Sequence, residues 1–194
     1  MLSGIKRDSL MPLETYARER TAFRAKVMEH KKRRTVQLGE HVTLQFEDEL
    51  TIRYQVQEML RIERIFEAAG IEGELEAYNP LIPDGGNWKA TMLIEYPEAD
   101  ERRRMLARLR GIEARVWVQV AGCERVFAIA DEDLERENEE KTSAVHFLRF
   151  ELTAAMRERL RRGAGLALGV DHPEYLASVE ALPEVRDALG ADLA

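Results

Sequence analysis

The sequence predicts an α+β fold, a mainly antiparallel β-sheet covered by helices, with a helical segment and a small hairpin at the N-terminus. Two long stretches, 12–33 and 49–69, repeat apolar residues at helical spacing. Several other segments alternate apolar and polar residues with period two, as half-buried strands do. These strands cluster around short turns instead of alternating one for one with helices, which argues against a doubly wound nucleotide-binding sheet. With 194 residues, 45% of them hydrophobic, the chain can bury one substantial core but not two comfortable ones, so residues 1–194 are expected to form a single domain.

The first helix is expected over 12–33, with Pro12 tolerated in its first turn and Leu13, Tyr16, Ala17, Phe23 and Val27 as its apolar stripe. A turn at Gly39 and Glu40 separates Val36 and Leu38 from Val42, Leu44 and Phe46, which reads as a small hairpin. The helix over 49–69 carries Ile52, Val56, Met59, Leu60 and Phe66, and Gly70 stands where it would end. Between 73 and 87 the breakers Asn79-Pro80, Pro83-Asp84 and Gly85-Gly86 predict an ordered loop. Trp88, Ala90, Met92, Ile94 and Tyr96 then form one face of a strand that Pro97 stops, and a charged helix follows over 98–110.

Val116, Val118 and Val120, then Val126, Ala128 and Ala130, predict a hairpin around Gly122-Cys123. Residues 131–141 are a dense acidic run, read as a solvated helix or loop. A strand over 144–152 leads into a helix capped by Thr153 and ended by Gly163. A last strand holds Leu166, Leu168 and Val170, after which Pro173 and Pro183 each mark the start of a terminal helix.

The net charge of −7 is segregated. Residues 1–34 hold ten Lys or Arg against four Asp or Glu, giving +6, so the remaining residues carry −13. A basic first helix beside an acidic body is expected to meet that body, in its own chain or in a second subunit, which makes a homo-oligomer an expectation and nucleic acid the least favoured partner. No stretch reaches the roughly 20 apolar residues of a membrane helix, and residues 1–13 lack a secretory apolar core, so a cytoplasmic location is expected and a membrane partner is not. A single cysteine, Cys123, rules out a dithiol redox centre.

Four places are candidates for chemistry. Glu63 falls in the middle of the apolar arc of its predicted helix, where a carboxylate would need a cation or a ligand, and Arg20 holds the matching position in the first helix, so a Glu63–Arg20 ion pair is expected. The loop holding Asp84, Gly85, Gly86, Asn87 and Lys89 could cradle a small anion, although Pro-Asp-Gly-Gly is also ordinary turn chemistry. His146 shares a strand face with Leu148 and Phe150, which suits a hydrogen-bonded core residue. Asp171 and His172 stand at an element junction that can orient an imidazole or simply cap a helix. The four histidines, His30, His41, His146 and His172, show no metal-ligand spacing, and no metal or cofactor is read from the sequence. Phosphate-loop, Gly-x-Ser-x-Gly and dinucleotide glycine motifs are absent from the sequence.

The runs Thr51-Ile52-Arg53-Tyr54-Gln55-Val56-Gln57-Glu58-Met59-Leu60-Arg61-Ile62-Glu63-Arg64-Ile65-Phe66, Ala77-Tyr78-Asn79-Pro80-Leu81-Ile82-Pro83, Asn87-Trp88-Lys89-Ala90-Thr91, Val145-His146-Phe147-Leu148-Arg149-Phe150 and Gly169-Val170-Asp171-His172-Pro173 together resemble a proteobacterial family catalogued only as a domain of unknown function. The resemblance covers most of the chain. Members are often encoded near rubrerythrin-like and iron-sulfur oxidoreductase proteins, which implies an accessory role in oxidative-stress or electron-transfer physiology. The family brings no catalytic residues with it. The leading expectation is therefore a cytosolic accessory protein that binds a ligand or a redox protein partner. The alternative is a small-molecule or metal-dependent enzyme built from Glu63, His146, His172 and the 84–89 loop, and nucleic-acid binding by the basic helix comes third.

Overall fold

The computed structural model describes residues 4–132 and 140–194. The acidic run expected over 131–141 thus falls, at 133–139, outside the described residues. A first helix, α1 (Leu13–Lys32), leads into the hairpin β1 (Thr35–Leu38) and β2 (Val42–Phe46), then α2 (Glu49–Glu63) and α3 (Ala68–Tyr78). Next come β3 (Asn87–Ile94), α4 (Ala99–Arg108), β4 (Val116–Val120), β5 (Val126–Phe127), β6 (Ile129–Ala130) and β7 (Val145–Glu151). The chain closes with α5 (Ala154–Arg161), β8 (Leu166–His172), β9 (Tyr175–Glu180) and α6 (Pro183–Gly190).

The strands form two antiparallel sheets, one ordered β1-β2-β3-β7-β6 and the other β5-β4-β8-β9. Their inner faces share one core. Leu44, Phe46, Trp88, Met92 and Phe150 come to it from the five-stranded sheet, and Val116, Val118, Leu168 and Val170 from the four-stranded one. The alternation that predicted β3 accounts for this: Trp88, Ala90, Met92 and Ile94 are buried, while Lys89, Thr91 and Leu93 on the other face are only partly so. α2 and α3 cover that other face and have a smaller core of their own, where Ile5, Ile52, Val56, Leu60 and Leu75 meet. No helix among the described residues is long and apolar enough to cross a membrane.

Four local expectations are corrected. The helix expected over 49–69 is two helices. Arg64 turns into the left-handed region at φ 55°, and the Ile65 amide folds back to the Leu60 carbonyl at 3.0 Å. The apolar period runs through this break because Ile65 still packs on α2 and α3, so periodicity alone does not reveal it. Gly70 lies inside α3 instead of ending a helix, and a side chain there would meet Ile65 Cγ2 at 2.7 Å. The loop expected over 73–87 is helical to Tyr78, with a single 3₁₀ turn at Asn79–Leu81 that accepts Pro80 in its first positions.

The segment 126–130 is not one strand. β5 pairs with Trp117 and Val118, whereas β6 pairs with Leu148 and Arg149 in the other sheet, so the chain changes sheets at Ala128. Pro173 starts a turn and not a helix. β9 pairs along β8, and the Tyr175 hydroxyl donates to the Leu38 carbonyl at 2.6 Å and accepts from the His41 amide at 3.0 Å. Gly39, at φ 69°, leaves the room Tyr175 needs, since a Cβ there would stand 2.6 Å from its hydroxyl. These tertiary bonds override a local sequence that fits helix or strand.

Arg34 ties the layers together. Its guanidinium is fully buried and donates to the carbonyls of Phe46 and Glu47, both at 3.1 Å. It also pairs with both carboxylate oxygens of Asp192 and lies 3.5 Å from Asp48. Asp48 caps α2 by accepting from the Thr51 amide at 3.0 Å, and it meets His30 Nε2 at 2.5 Å. Burial opposes ionisation of Asp48, but Arg34, the Thr51 amide and His30 outweigh it and hold the carboxyl below its ordinary range. Replacing Arg34 by Met leaves two carboxylates without their cation, and a loss of about 3–5 kcal/mol is expected. Urea denaturation at neutral pH measures it; a midpoint matching the parent protein would show that the cluster contributes nothing.

Candidate functional site

The arms of the sequence-derived site do not converge. Glu63, in the last turn of α2, is exposed, and Arg20 pairs with Glu58 instead, Nε to Oε1 at 2.7 Å and Nη2 to Oε2 at 2.9 Å. α2 is buried on more than one side: α1 packs over the face bearing Tyr54 and Glu58, while Ile52, Val56 and Leu60 serve the small core. The helix therefore has no single apolar arc from which to place Glu63, and its final turn, with Ile62, projects into solvent. The Tyr16 hydroxyl donates to Glu58 at 2.7 Å and Arg61 adds a bond at 3.1 Å. Arg20 foremost, then Arg61 and Tyr16, hold the Glu58 carboxyl down at about 2 against the cost of burial.

Asp84, Gly85, Gly86 and Asn87 form a closed turn. The Gly86 amide bonds Asp84 Oδ1 at 2.8 Å, the Asp84 amide bonds Asn87 Oδ1 at 3.2 Å, and Asn87 Nδ2 donates to Glu151 at 3.0 Å. The Gly85 and Gly86 carbonyls accept from Ala194 and Leu152. Those groups are spent on the fold. His172 is equally committed, with Nε2 against the Arg110 carbonyl at 3.0 Å and Nδ1 accepting from the Glu174 amide at 3.2 Å. Asp171 is exposed, 3.8 Å from Arg125, whose guanidinium lies over the Trp117 ring at 4.0 Å.

His146 is fully buried on the core side of β7, as its shared face with Leu148 and Phe150 suggested. Its Nδ1 meets Asp131 Oδ2 at 2.5 Å, and its Nε2 meets the Thr142 hydroxyl at 2.9 Å and the Ser143 carbonyl at 3.0 Å. Asp131, at φ 50°, also bonds the Phe147 amide through Oδ1. The order Thr–His–Asp is that of a nucleophile relay, but the Thr142 hydroxyl is buried and also reaches the Glu113 carboxylate at 3.3 Å. The cluster is a buried clasp that closes the end of β7. Asp131, Thr142 and Glu113 were absent from the sequence-derived candidates because their partners lie on separate elements. No group of three or more metal-ligating side chains assembles among the described residues.

Lys89 parts company with its loop. It stands on the outer face of β3, half-buried beneath the helical layer, on the wall of a cleft of about 670 Å³. Met59 of α2, Tyr78 of α3, Leu81 and Phe147 of β7 supply the apolar lining, and Glu74, Glu76 and Glu132 supply carboxylates. Tyr78, Leu81 and Phe147 also line an adjoining compartment of about 330 Å³ whose polar end holds Glu47. There Glu47 accepts the Thr91 hydroxyl at 2.7 Å and the Thr51 hydroxyl at 2.5 Å.

Lys89 sits directly opposite Arg149 in the β3–β7 register. Arg149 is held by Glu132, through two bonds of 2.8 Å, and by Glu151. The Lys89 ammonium has no hydrogen bond or ion pair among the described residues. Burial first, then the like charge of Arg149, lower its pKa. Glu132, Asp84 and Glu151 attract the ammonium in the opposite sense without overcoming burial and Arg149.

A family model described as "Protein of unknown function (DUF3501)" matches residues 4–193. The chain belongs to the DUF3501 family. A crystal structure of a novel protein of unknown function from Burkholderia pseudomallei K96243 is 54% identical, with a TM-score of 0.94, covering 99% of this chain and 100% of that one. No curated protein matches. The family resemblance read from the sequence is thereby confirmed, and the function of this DUF3501 chain is not established by its relatives.

Glu58 makes stability depend on pH with a definite sign. Its folded pKa is depressed from the ordinary 4.5 to about 2, so its stabilising effect is complete above about pH 4.5 and is lost as pH falls toward 2. Glu58→Gln is expected to be less stable than the parent at pH 7, with the gap narrowing through that window. Urea midpoints at pH 7, 4 and 2.5 read it directly, and a gap independent of pH would refute the assignment.

Proposed function

We propose that this protein binds a small, mainly apolar molecule carrying a carbonyl or carboxylate oxygen, seated in the cleft between the helical layer and the five-stranded sheet. The observation that carries this reading is Lys89, a half-buried ammonium without an ion-pair partner among the described residues, on the wall of an apolar-lined cleft. Ligand sites are typically concave, apolar and about 300–1,000 Å³, with a few polar groups that fix orientation. Both compartments fall in that range. An acceptor oxygen would satisfy the Lys89 ammonium, while Met59, Tyr78, Leu81 and Phe147 would bury the ligand's body. This takes up the ligand-binding expectation of the sequence and moves its centre from Glu63 and the histidines to Lys89.

Decanoate, a ten-carbon carboxylate, serves as the probe. It is expected to raise the melting temperature of the intact protein in proportion to occupancy. Phe147→Arg, which projects a long side chain into the cleft, should abolish the shift. Lys89→Met should weaken binding by about tenfold, as loss of one charge-assisted contact does. The same variant should melt slightly above the parent without ligand, because it removes a partly desolvated charge. Isothermal titration and thermal scans check each point; a parent protein that neither binds decanoate nor shifts its melting temperature would sink the reading.

A further inference from the structure

We infer that Lys89 is a reactive amine, which condenses with aldehydes or ketones admitted to the cleft to form a reversible imine. This rests on the cleft's being the ligand site and names the class of ligand that its chemistry selects. A lysine attacks a carbonyl only as the free base, and enzymes and binding proteins obtain that form by removing water and counter-charge from the amine or by setting a second cation beside it. Lys89 has the second cation by position, and its half-burial removes part of its water. It is directly opposite Arg149 across β3 and β7, in a register where like charges repel. Arg149 is fixed there by Glu132 and Glu151, and these two carboxylates and Asp84 attract the Lys89 ammonium without a hydrogen bond or ion pair to it among the described residues. Apolar side chains of Tyr78, Leu81 and Phe147 line the same space.

The other lysines are placed differently. Lys6, Lys26, Lys32 and Lys141 are exposed, and Lys32 also pairs with Glu29 at 2.6 Å. Lys31 is partly exposed and borders the smaller compartment. Burial and the Arg149 charge make Lys89 less basic than an ordinary lysine, in agreement with the geometry.

The reaction balances without an oxidant or a reductant. The nitrogen lone pair forms a bond to the carbonyl carbon as the C=O π pair moves to oxygen. The ammonium-type proton passes from nitrogen to that oxygen through water in the open cleft, which gives a carbinolamine. Its hydroxyl then leaves with a proton as water while the C=N bond forms, and addition of water reverses the sequence. Such a site suits a carrier or scavenger of a reactive carbonyl compound, or the first step of a carbonyl transformation.

The intact protein is incubated near neutral pH with decanal and cyanoborohydride, which reduces an imine to a stable secondary amine, and the adduct is located by peptide mass mapping. The expected result is one adduct per chain on Lys89, lost in both Lys89→Met and Lys89→Arg and suppressed by excess decanoate. Labelling spread over Lys6, Lys26 and Lys32, or labelling unchanged in the two variants, overturns the imine. Protein that binds decanoate yet gives no Lys89 adduct retains the binding site and loses the covalent step. Protein that binds neither probe loses both. Two variants are used because Lys89→Arg keeps the cation, so failure of the charge-free variant to fold would not decide the outcome.

Discussion

The buried Arg34 guanidinium is the constraint on which the arrangement of layers depends. It follows the last turn of α1, bonds the carbonyls that lead from β2 into α2, and grips Asp192 beyond α6. A buried cation is stable only where its hydrogen bonds are nearly all made, so these three segments cannot separate independently. Asp48 extends the constraint by capping α2 while accepting from His30 on α1. The direction in which α2 leaves the sheet is thereby fixed at its first residue. Tyr16, Arg20 and Glu58 fix the same pair of helices further along. The basic character of the N-terminal segment thus resolves, at Arg20, His30 and Arg34, into bonds with the acidic body of its own chain.

Once the helices are held in this way, they stand over the outer face of the five-stranded sheet without filling the space beneath them. On that face Lys89 and Arg149 stand opposite each other at one end, with Glu47 bonded through its amide to the Lys89 carbonyl. Thr91 and Phe147 come next, and Leu93 and Val145 lie at the far end. Polar groups under a helical layer are costly unless bonded, and Glu47, Thr51 and Thr91 satisfy one another. Lys89 differs from them in making no hydrogen bond or ion pair among the described residues, while Glu132 and Glu151 bond Arg149.

The strands were the most legible part of the sequence, because period-two alternation reports which face is buried. β3 and β7 follow it residue by residue. The caps at Thr153 and Gly163 were also legible, since they depend on local chemistry alone. Features set by distant partners were not. The break at Arg64 is hidden by Ile65, which continues the apolar pattern after the helix stops. β9 becomes a strand because Tyr175 reaches Leu38, and the change of sheet at Ala128 follows from pairing with two strands far apart in sequence. The same limit misplaced the expected ion pair. A helical wheel treats α2 as having one buried side, whereas α1 creates a second, and the carboxylate it engages is Glu58 and not Glu63. Lys89 was visible as part of a glycine-rich loop, but its place is set by strand parity, which puts it on the outer face of β3 directly opposite Arg149.

That parity has an evolutionary reach. Along β3 the even-numbered residues Trp88, Ala90, Met92 and Ile94 belong to the shared core, and the odd-numbered Lys89, Thr91 and Leu93 belong to the cleft wall. Substitutions in the core and substitutions in the cleft wall therefore fall on interleaved but separate sets of codons. Descendants of this chain can exchange the cleft residues while the sandwich behind them keeps its composition.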